Sequence, residues 1–303
     1  MSATIFTVEE LTLATNNFDV SRLVGAGGCG GVRGRGVSGT RTSFDDEAPP
    51  PLRRVCLSIP PQGTSRKSRG TSDLGSSACS QRPSCEGVLG SGQRVAVKRW
   101  RGGASAQGLA ELMNEVTILS QMDHLNVLPL LGFCCRPPDL MLVTPYLARG
   151  SLHDALYGEG AGGAGARGPR GAAWRVTLVA GIAHGIHALH AAQVVHRDIK
   201  SANVLVSDSH DAADADGPEL PVAKLADAGV ARRMRRDAAS AALATPSPTR
   251  VIGTDGYLDP EYQDTERLAY KSDVFSFGVI LLEVEPGRYC LPHHRNAFQT
   301  LVS

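Results

Sequence analysis

Hydrophobic and polar residues follow several periods along this chain, and each period predicts a type of secondary structure. Residues 94–100 alternate between apolar and polar positions, and residues 140–146 form a second strand-like run, so we expect two β-strands. Residues 111–121 and 178–190 repeat apolar positions at helical spacing, which predicts two helices. Residues 273–284 are apolar on nearly every side, which is typical of a buried helix. The chain therefore mixes strands and helices.

A short helix is also predicted near the N-terminus. Thr7 can cap its first turn, Glu10 can reach back to the capping residue, and Phe6 can pack on Leu11 as a hydrophobic staple. We expect this helix to run to about Thr15.

Four segments contain too few apolar residues to order themselves. They are rich in Gly, Ser, Pro and charged residues, and they span about 36–92, 158–173, 207–219 and 237–248. The entropy of closing a loop grows only logarithmically with its length, so such insertions can leave a fold intact if they emerge from hairpin tips.

Composition excludes some classes of protein. The 31 Lys and Arg residues nearly balance 30 Asp and Glu residues, so no overall field attracts nucleic acid or an acidic membrane. The seven cysteines show no CxxC spacing, which favours reduced, structural thiols. The N-terminus lacks a signal-peptide pattern, and the longest apolar stretch, near 275–284, is too short to span a bilayer. We therefore expect a cytoplasmic protein with no transmembrane segment and no nucleic-acid partner.

The segment from 195 to 203 carries groups suited to phosphoryl transfer to a hydroxyl. Asp198 can take the proton of an incoming alcohol, and Lys200 can neutralise a migrating phosphate. Asn203 can hold a magnesium ion. The apolar residues 204–206 follow directly.

A glycine cluster at 25–31 offers backbone amides without side-chain obstruction, as a loop that covers phosphates requires. Taken alone, the cluster is weak evidence, and it indicates a flexible linker more readily than a phosphate-binding loop. Lys98 ends an alternating strand, and Glu115 lies on the next predicted helix. Each could be an ordinary surface charge, but an ordered pair between the glycine cluster and residues 195–203 favours a phosphate-binding lysine with its carboxylate partner.

The order of these segments, together with two longer phrases, carries a resemblance to a known family. Residues 6–18 closely resemble the lead-in to plant receptor-like kinase domains, and residues 249–262 resemble the end of their activation segment. From about 6 to 288, the chain resembles the kinase domain of plant receptor-like and receptor-like cytoplasmic Ser/Thr kinases, a Pelle-related family.

This resemblance implies an α+β, two-lobed protein-kinase-like fold. A lead-in helix at 1–20 would precede a small lobe at 21–147, with an antiparallel β-sheet and one main helix. A mainly α-helical large lobe would occupy 148–288, with a polar tail at 289–303. The family normally continues with several more helices, so we expect the large lobe to lack its last helices.

The resemblance also implies how ATP would bind. Lys98, held by Glu115, would position the phosphates, and Thr144 would be the gatekeeper residue. The carbonyl of Pro145 and the amide of Leu147 would bind adenine. The other residues expected around the nucleotide are Val24, Gly25, Gly27, Gly30, Val32, Ala96 and Leu205.

In the implied active site, Asn203 and Asp227 would hold Mg²⁺, with Mn²⁺ as an alternative metal. Lys200 favours Ser/Thr over Tyr substrates. One departure from the family is Ala228, which replaces the phenylalanine that follows the metal-binding aspartate. Losing such a ring costs roughly 3–5 kcal/mol if nothing fills its space. A pseudokinase scaffold that keeps the fold but not efficient catalysis therefore stays an alternative to a kinase.

Regulation and partners are further implications of the resemblance. Arg197 is a cation that a phosphate on Thr245, Ser247 or Thr249 could pair with, which would order the activation segment. Thr254 is a further candidate regulatory residue, and the alternative is that these hydroxyl residues only form the loop. We expect a protein substrate, an upstream receptor or activating kinase, and recruitment to the plasma membrane by such partners. A third hypothesis is a fragment that does not fold alone.

Overall fold

The computed structural model describes residues 3–24, 84–100, 106–157, 171–208, 220–234 and 250–285. These residues form an α+β fold with a β-sheet lobe and a helical lobe. The sheet lobe consists of β1 (Thr4–Ile5), α1 (Val8–Ala14), β2 (Leu23–Val24), β3 (Ser84–Val88), β4 (Arg94–Arg99), α2 (Ala106–Leu119), β5 (Gly132–Arg136) and β6 (Asp139–Pro145).

The six strands of this lobe form one sheet in the order β1-β5-β6-β4-β3-β2. All neighbouring pairs are antiparallel except β1 and β5, which run parallel. Successive side chains of β4 point to opposite faces. Val95 and Val97 are fully buried in a cluster with Leu11, so Ala96 and Lys98 face the other side of the sheet.

The N-terminal segment is part of this lobe. Thr7 and Glu10 form the predicted capping box, and Phe6 packs against the cluster that contains Leu11. Strand β1 reaches β5 only because residue 132 is glycine, since a Cβ atom there would lie 2.1 Å from the carbonyl oxygen of Thr4. The predicted short helix with its capping box is therefore present as α1, and it packs on the sheet face that carries Val95 and Val97.

The helical lobe is built around two long helices that contact each other. Gly185 lets the first of these helices approach the segment between α2 and β5, because a Cβ atom at residue 185 would lie 2.5 Å from the carbonyl oxygen of Asn126. The elements of this lobe are α3 (Leu152–Tyr157), α4 (Ala172–Ala191), β7 (Val194–Val195), β8 (Val204–Asp208), β9 (Pro221–Leu225), β10 (Arg232–Arg233), α5 (Pro260–Thr265) and α6 (Tyr270–Val284).

The structure differs from the predicted polar insertions mainly at β3. Strand β3 lies within the predicted insertion at 36–92, where it pairs along its length with β4. Its small and polar side chains give no strand pattern in the sequence, but pairing with β4 stabilises the strand. Helix α4 already begins at Ala172, and β8 extends to Asp208. The remainder of each insertion, and the tail at 289–303, lie outside the described residues.

Candidate active site

Lys98 lies between two carboxylates that come from distant parts of the chain. Its Nζ atom is 3.1 Å from Oε2 of Glu115 on α2 and 2.7 Å from Oδ1 of Asp227, which follows β9. The Glu115 side chain is 2 % exposed, and the Asp227 side chain is 47 % exposed. Lys98 therefore bridges a buried carboxylate and an accessible one.

The two carboxylates and the lysine control one another's protonation. Burial disfavours the Lys98 ammonium, but Asp227 and Glu115 outweigh burial and raise the pKa of Lys98 above its ordinary value. Burial also raises the pKa of Glu115, against the opposing effect of Lys98. At Asp227, burial acts in the same direction, but the lysine outweighs it and lowers the pKa to about 2. Near neutral pH, Lys98 is therefore a cation and Asp227 an anion.

A second polar network surrounds Asp198, which follows β7. Its Oδ2 atom accepts hydrogen bonds from Lys200 Nζ at 2.8 Å and from Asn203 Nδ2 at 3.0 Å. Its Oδ1 atom accepts a hydrogen bond from the hydroxyl of Thr254 at 2.6 Å, and Lys200 also donates to that hydroxyl at 2.9 Å. The structure thus brings together all three residues that the sequence predicted for catalysis.

Helix α6 fixes the backbone of this loop. The buried Asp273 carboxylate accepts hydrogen bonds from the backbone amides of His196 and Arg197 at 2.8 and 2.9 Å. His190 Nε2 on α4 lies 2.8 Å from the same carboxylate. No pattern in the sequence singles out His190, because only the folded chain brings α4 and α6 together.

His196 connects the Asp198 loop to the residues before Asp227. Its Nδ1 atom accepts from the backbone amide of Asp198 at 3.3 Å, so the hydrogen of the neutral ring lies on Nε2. That nitrogen faces the carbonyl oxygen of Ala226 at 3.1 Å and donates to it. The ring therefore sets the spacing between the two polar networks.

Asp227 itself has a left-handed backbone with φ 64° and begins a single 3₁₀ turn at Ala228–Val230. Ala228 is buried in the main hydrophobic cluster. Asn114 on α2 donates hydrogen bonds to backbone carbonyls of this turn, which sequence analysis also missed. No spacing or composition in the sequence points to this contact, because it joins segments more than 110 residues apart.

Four of the residues predicted around the nucleotide, Val24, Ala96, Thr144 and Pro145, lie on strands of the six-stranded sheet. Ala96 pairs with Thr144 across β4 and β6, and Pro145 pairs with Val95. Val24 pairs with Ser84, which in turn pairs with Lys98. Leu147 follows β6, and Leu205 lies on β8. Gly25, Gly27, Gly30 and Val32 lie outside the described residues.

Arg197 has neutral hydrogen-bond partners. It donates to the carbonyl oxygens of Val230 and Arg250 at 3.3 and 2.9 Å, and to the Tyr262 hydroxyl at 3.0 Å. Within the described ranges, it contacts no carboxylate. The predicted partners Thr245, Ser247 and Thr249 lie outside those ranges.

A β-sheet lobe that presents a lysine between two carboxylates, joined to a helical lobe with an Asp-Lys-Asn loop, defines a protein kinase domain. Residues 84–297 match the family model described as protein tyrosine and serine/threonine kinase. The chain therefore belongs to the protein kinase family.

Plant receptor-like kinases are among its relatives. The chain is 41 % identical over 202 residues to a nodulation receptor kinase of Pisum sativum. It is 38 % identical over 203 residues to calmodulin-binding receptor-like cytoplasmic kinase 3 of Arabidopsis thaliana, each alignment covering 67 % of the chain. The proline-rich receptor-like protein kinase PERK1 of Arabidopsis thaliana is 31 % identical over 287 residues, or 95 % of the chain. These alignments span 20 %, 36 % and 33 % of the three relatives, respectively.

Among the helices described, none combines the length and apolar character that crossing a lipid bilayer requires.

Proposed function

We propose that this chain is an ATP-dependent serine/threonine protein kinase that transfers the γ-phosphate of ATP to protein hydroxyls in intracellular signalling. The observation that carries this proposal is the convergence of Lys200 and Thr254 on the Asp198 carboxylate. A proton acceptor beside a cation supports the proposal, since transfer to an alcohol requires both.

In this proposal, Asp198 receives the proton of the substrate hydroxyl, which Oδ1 can accept in place of the Thr254 hydroxyl. Lys200, held 2.8 Å from Asp198, places positive charge beside the reacting oxygen. A lysine at this point supports the assignment of Ser/Thr rather than Tyr substrates.

The donor set around Asp227 and Asn203 fits Mg²⁺, or Mn²⁺ as the alternative. The Asp227 carboxylate is half-exposed, and carboxylate and amide oxygens are the hard ligands such ions prefer. Asn203 uses its Nδ2 atom on Asp198, which leaves its Oδ1 atom without a hydrogen-bond donor among the described residues. The metal would supply charge neutralisation on the phosphates, while Lys98 would contact the phosphates directly.

Adenine would bind along the edge of the sheet lobe, against Thr144, the Pro145 carbonyl and the Leu147 amide. Val32, Ala96 and Leu205 would supply apolar contacts on either side of the base, with Val24 also near the nucleotide. The backbone amides of Gly25, Gly27 and Gly30 would cover the phosphates.

We further propose a protein substrate, an upstream receptor or activating kinase, and recruitment to the plasma membrane by such a partner. Names of relatives support this setting, since they include receptor-like and receptor-like cytoplasmic kinases. Phosphorylation of Thr245, Ser247, Thr249 or Thr254 would regulate the chain, in the first three cases through Arg197.

One observation favours a second candidate function, a pseudokinase scaffold. Ala228 is buried directly after Asp227, where a single methyl group fills little of the space that a ring would occupy. A scaffold of this type would bind nucleotide or a partner without efficient transfer.

Transfer of radiolabelled phosphate from Mg-ATP to a generic basic protein tests the proposal. The wild type should label the substrate, and Asp198→Ala should lower the rate by about 100-fold or more while ATP affinity changes little. Asp123→Ala, the same change at an exposed position, is the matched control. Unchanged turnover in Asp198→Ala would refute the assigned base. ATP binding without transfer by the wild type would favour the scaffold.

A further inference from the structure

One side chain on α2 makes three contacts to the backbone that follows Asp227. The Nδ2 atom of Asn114 lies 2.8 Å from the carbonyl oxygen of Ala231 and 3.1 Å from that of Gly229. A third carbonyl oxygen, that of Ala228, lies at 3.4 Å. Three acceptors around one atom require that the amide nitrogen, and not the oxygen, faces them.

The carbonyls that Asn114 contacts belong to the end of the 3₁₀ turn. A helical turn leaves its last carbonyls without partners inside the helix. Within this turn, only the Ala228 carbonyl receives a backbone amide, from Ala231. Asn114 therefore satisfies the carbonyls of Gly229 and Ala231, and it joins α2 to the turn.

This junction lies directly against the paired carboxylates. A Cβ atom on Gly229 would touch Glu115 Oε2 at 3.4 Å and Asp227 Oδ1 at 3.5 Å. Any shift of the turn relative to α2 would therefore change the distance between Glu115 and Asp227, and with it the position of Lys98. Ala228, at the start of the turn, has a side chain of only one carbon atom, so it offers few apolar contacts to hold the turn in place.

We propose that Asn114 is a positioning residue: its amide fixes the segment after Asp227 to α2 and so keeps Asp227 within reach of Lys98. This inference rests on the proposed kinase function for its kinetic consequence, but its structural consequence is independent of activity.

Two variants of Asn114 separate hydrogen bonding from packing. Asn114→Leu keeps a similar volume without a donor, and Asn114→Asp directs an acceptor at three carbonyls. Gln107→Glu makes the same amide-to-acid change at an exposed position of the same helix and serves as the matched control. Because roughly one net hydrogen bond is lost, and because Asp227 and Lys98 are both proposed to bind Mg-ATP, both Asn114 variants should lower kcat/KM for ATP by about tenfold. The control should keep the wild-type kcat/KM.

Amide hydrogen exchange gives a readout that does not need catalysis. The amides of residues 228–231 should exchange faster in both Asn114 variants, while those of α4 should not change. A purely structural loss would instead accelerate exchange throughout the fold. Wild-type exchange at 228–231 in a folded Asn114→Leu protein would overturn the inference. If the wild type transfers no phosphate, the proposed function fails, and the exchange result still decides the role of Asn114.

Discussion

Oδ1 of Asp227 lies 2.7 Å from Nζ of Lys98, although 129 positions separate the two residues along the chain. The contact joins the sheet lobe to the segment after β9. It also leaves Glu115, on the other side of Lys98, as a buried carboxylate that depends on one cation. The proposed nucleotide site and the stability of the sheet lobe therefore depend on the same lysine.

Lys98→Met should abolish phosphate transfer and also destabilise the protein. The free energy of unfolding should fall by about 3 kcal/mol, because removal of one partner leaves Glu115 buried without a cation. Adding Glu115→Gln should restore much of the stability, since the orphaned charge is gone, but none of the activity. Urea unfolding of both variants measures this. If Lys98→Met alone were as stable as the wild type, Lys98 would have no role in stability.

The N-terminal helix should contribute to the stability of the sheet lobe. Leu11 is 0 % exposed in the cluster with Val95 and Val97, while Leu13 on the same helix is 85 % exposed. Leu11→Ala should lower the free energy of unfolding by about 2–5 kcal/mol, and the control Leu13→Ala should have almost no effect. Thermal or urea unfolding decides the matter, and equal effects at the two positions would show that α1 does not pack on the sheet.

Tyr262 should stabilise the end of the activation segment through Arg197. Its hydroxyl accepts from Arg197 Nη2 and donates to the carbonyl of Arg250 at 3.1 Å. Tyr262→Phe keeps the buried ring, so the expected cost in unfolding free energy is only about 1 kcal/mol. The same change should cost less in an Arg197→Met background, because its main partner is then absent. Full additivity in this double-mutant cycle would argue against the contact.

Glu283 should make stability depend on pH. Burial raises the pKa of this carboxyl above its ordinary value of 4.5, although Tyr257 and Tyr157 donate to its Oε1 atom. A group whose pKa is raised by folding contributes its stability below the ordinary pKa and loses it as pH rises through the raised value. From pH 4.5 upward, the wild type should therefore lose unfolding free energy relative to Glu283→Gln.

Urea midpoints of both proteins at several pH values measure this difference. If the difference in unfolding free energy between the two proteins did not change with pH, folding would not raise the pKa of Glu283. The same would follow if the wild type lost stability relative to Glu283→Gln as the pH falls.

Much of the site could be predicted from the sequence because its chemistry is local. Asp198, Lys200 and Asn203 lie within six residues, and their spacing alone indicated a shared task. The helices and strands with strong periodicity were predicted for a similar reason, although α2 begins at Ala106 rather than at 111.

What the sequence did not provide depends on contacts between distant segments. Strand β3 has a weak pattern of its own and exists because β4 pairs with it. His190 and Asn114 become informative only when the fold places Asp273 and the turn after Asp227 beside them. Neither relationship has a signal in spacing or composition.

The most direct test of the central claim is a thermal-shift titration with Mg-ATP. If residues from both lobes bind one nucleotide, the wild-type Tm should rise with ligand concentration and follow a single Kd. Asp227→Asn and Lys98→Met, one from each lobe, should both abolish this rise, while Asp123→Ala should retain it. An undiminished rise in either Asp227→Asn or Lys98→Met would contradict the account.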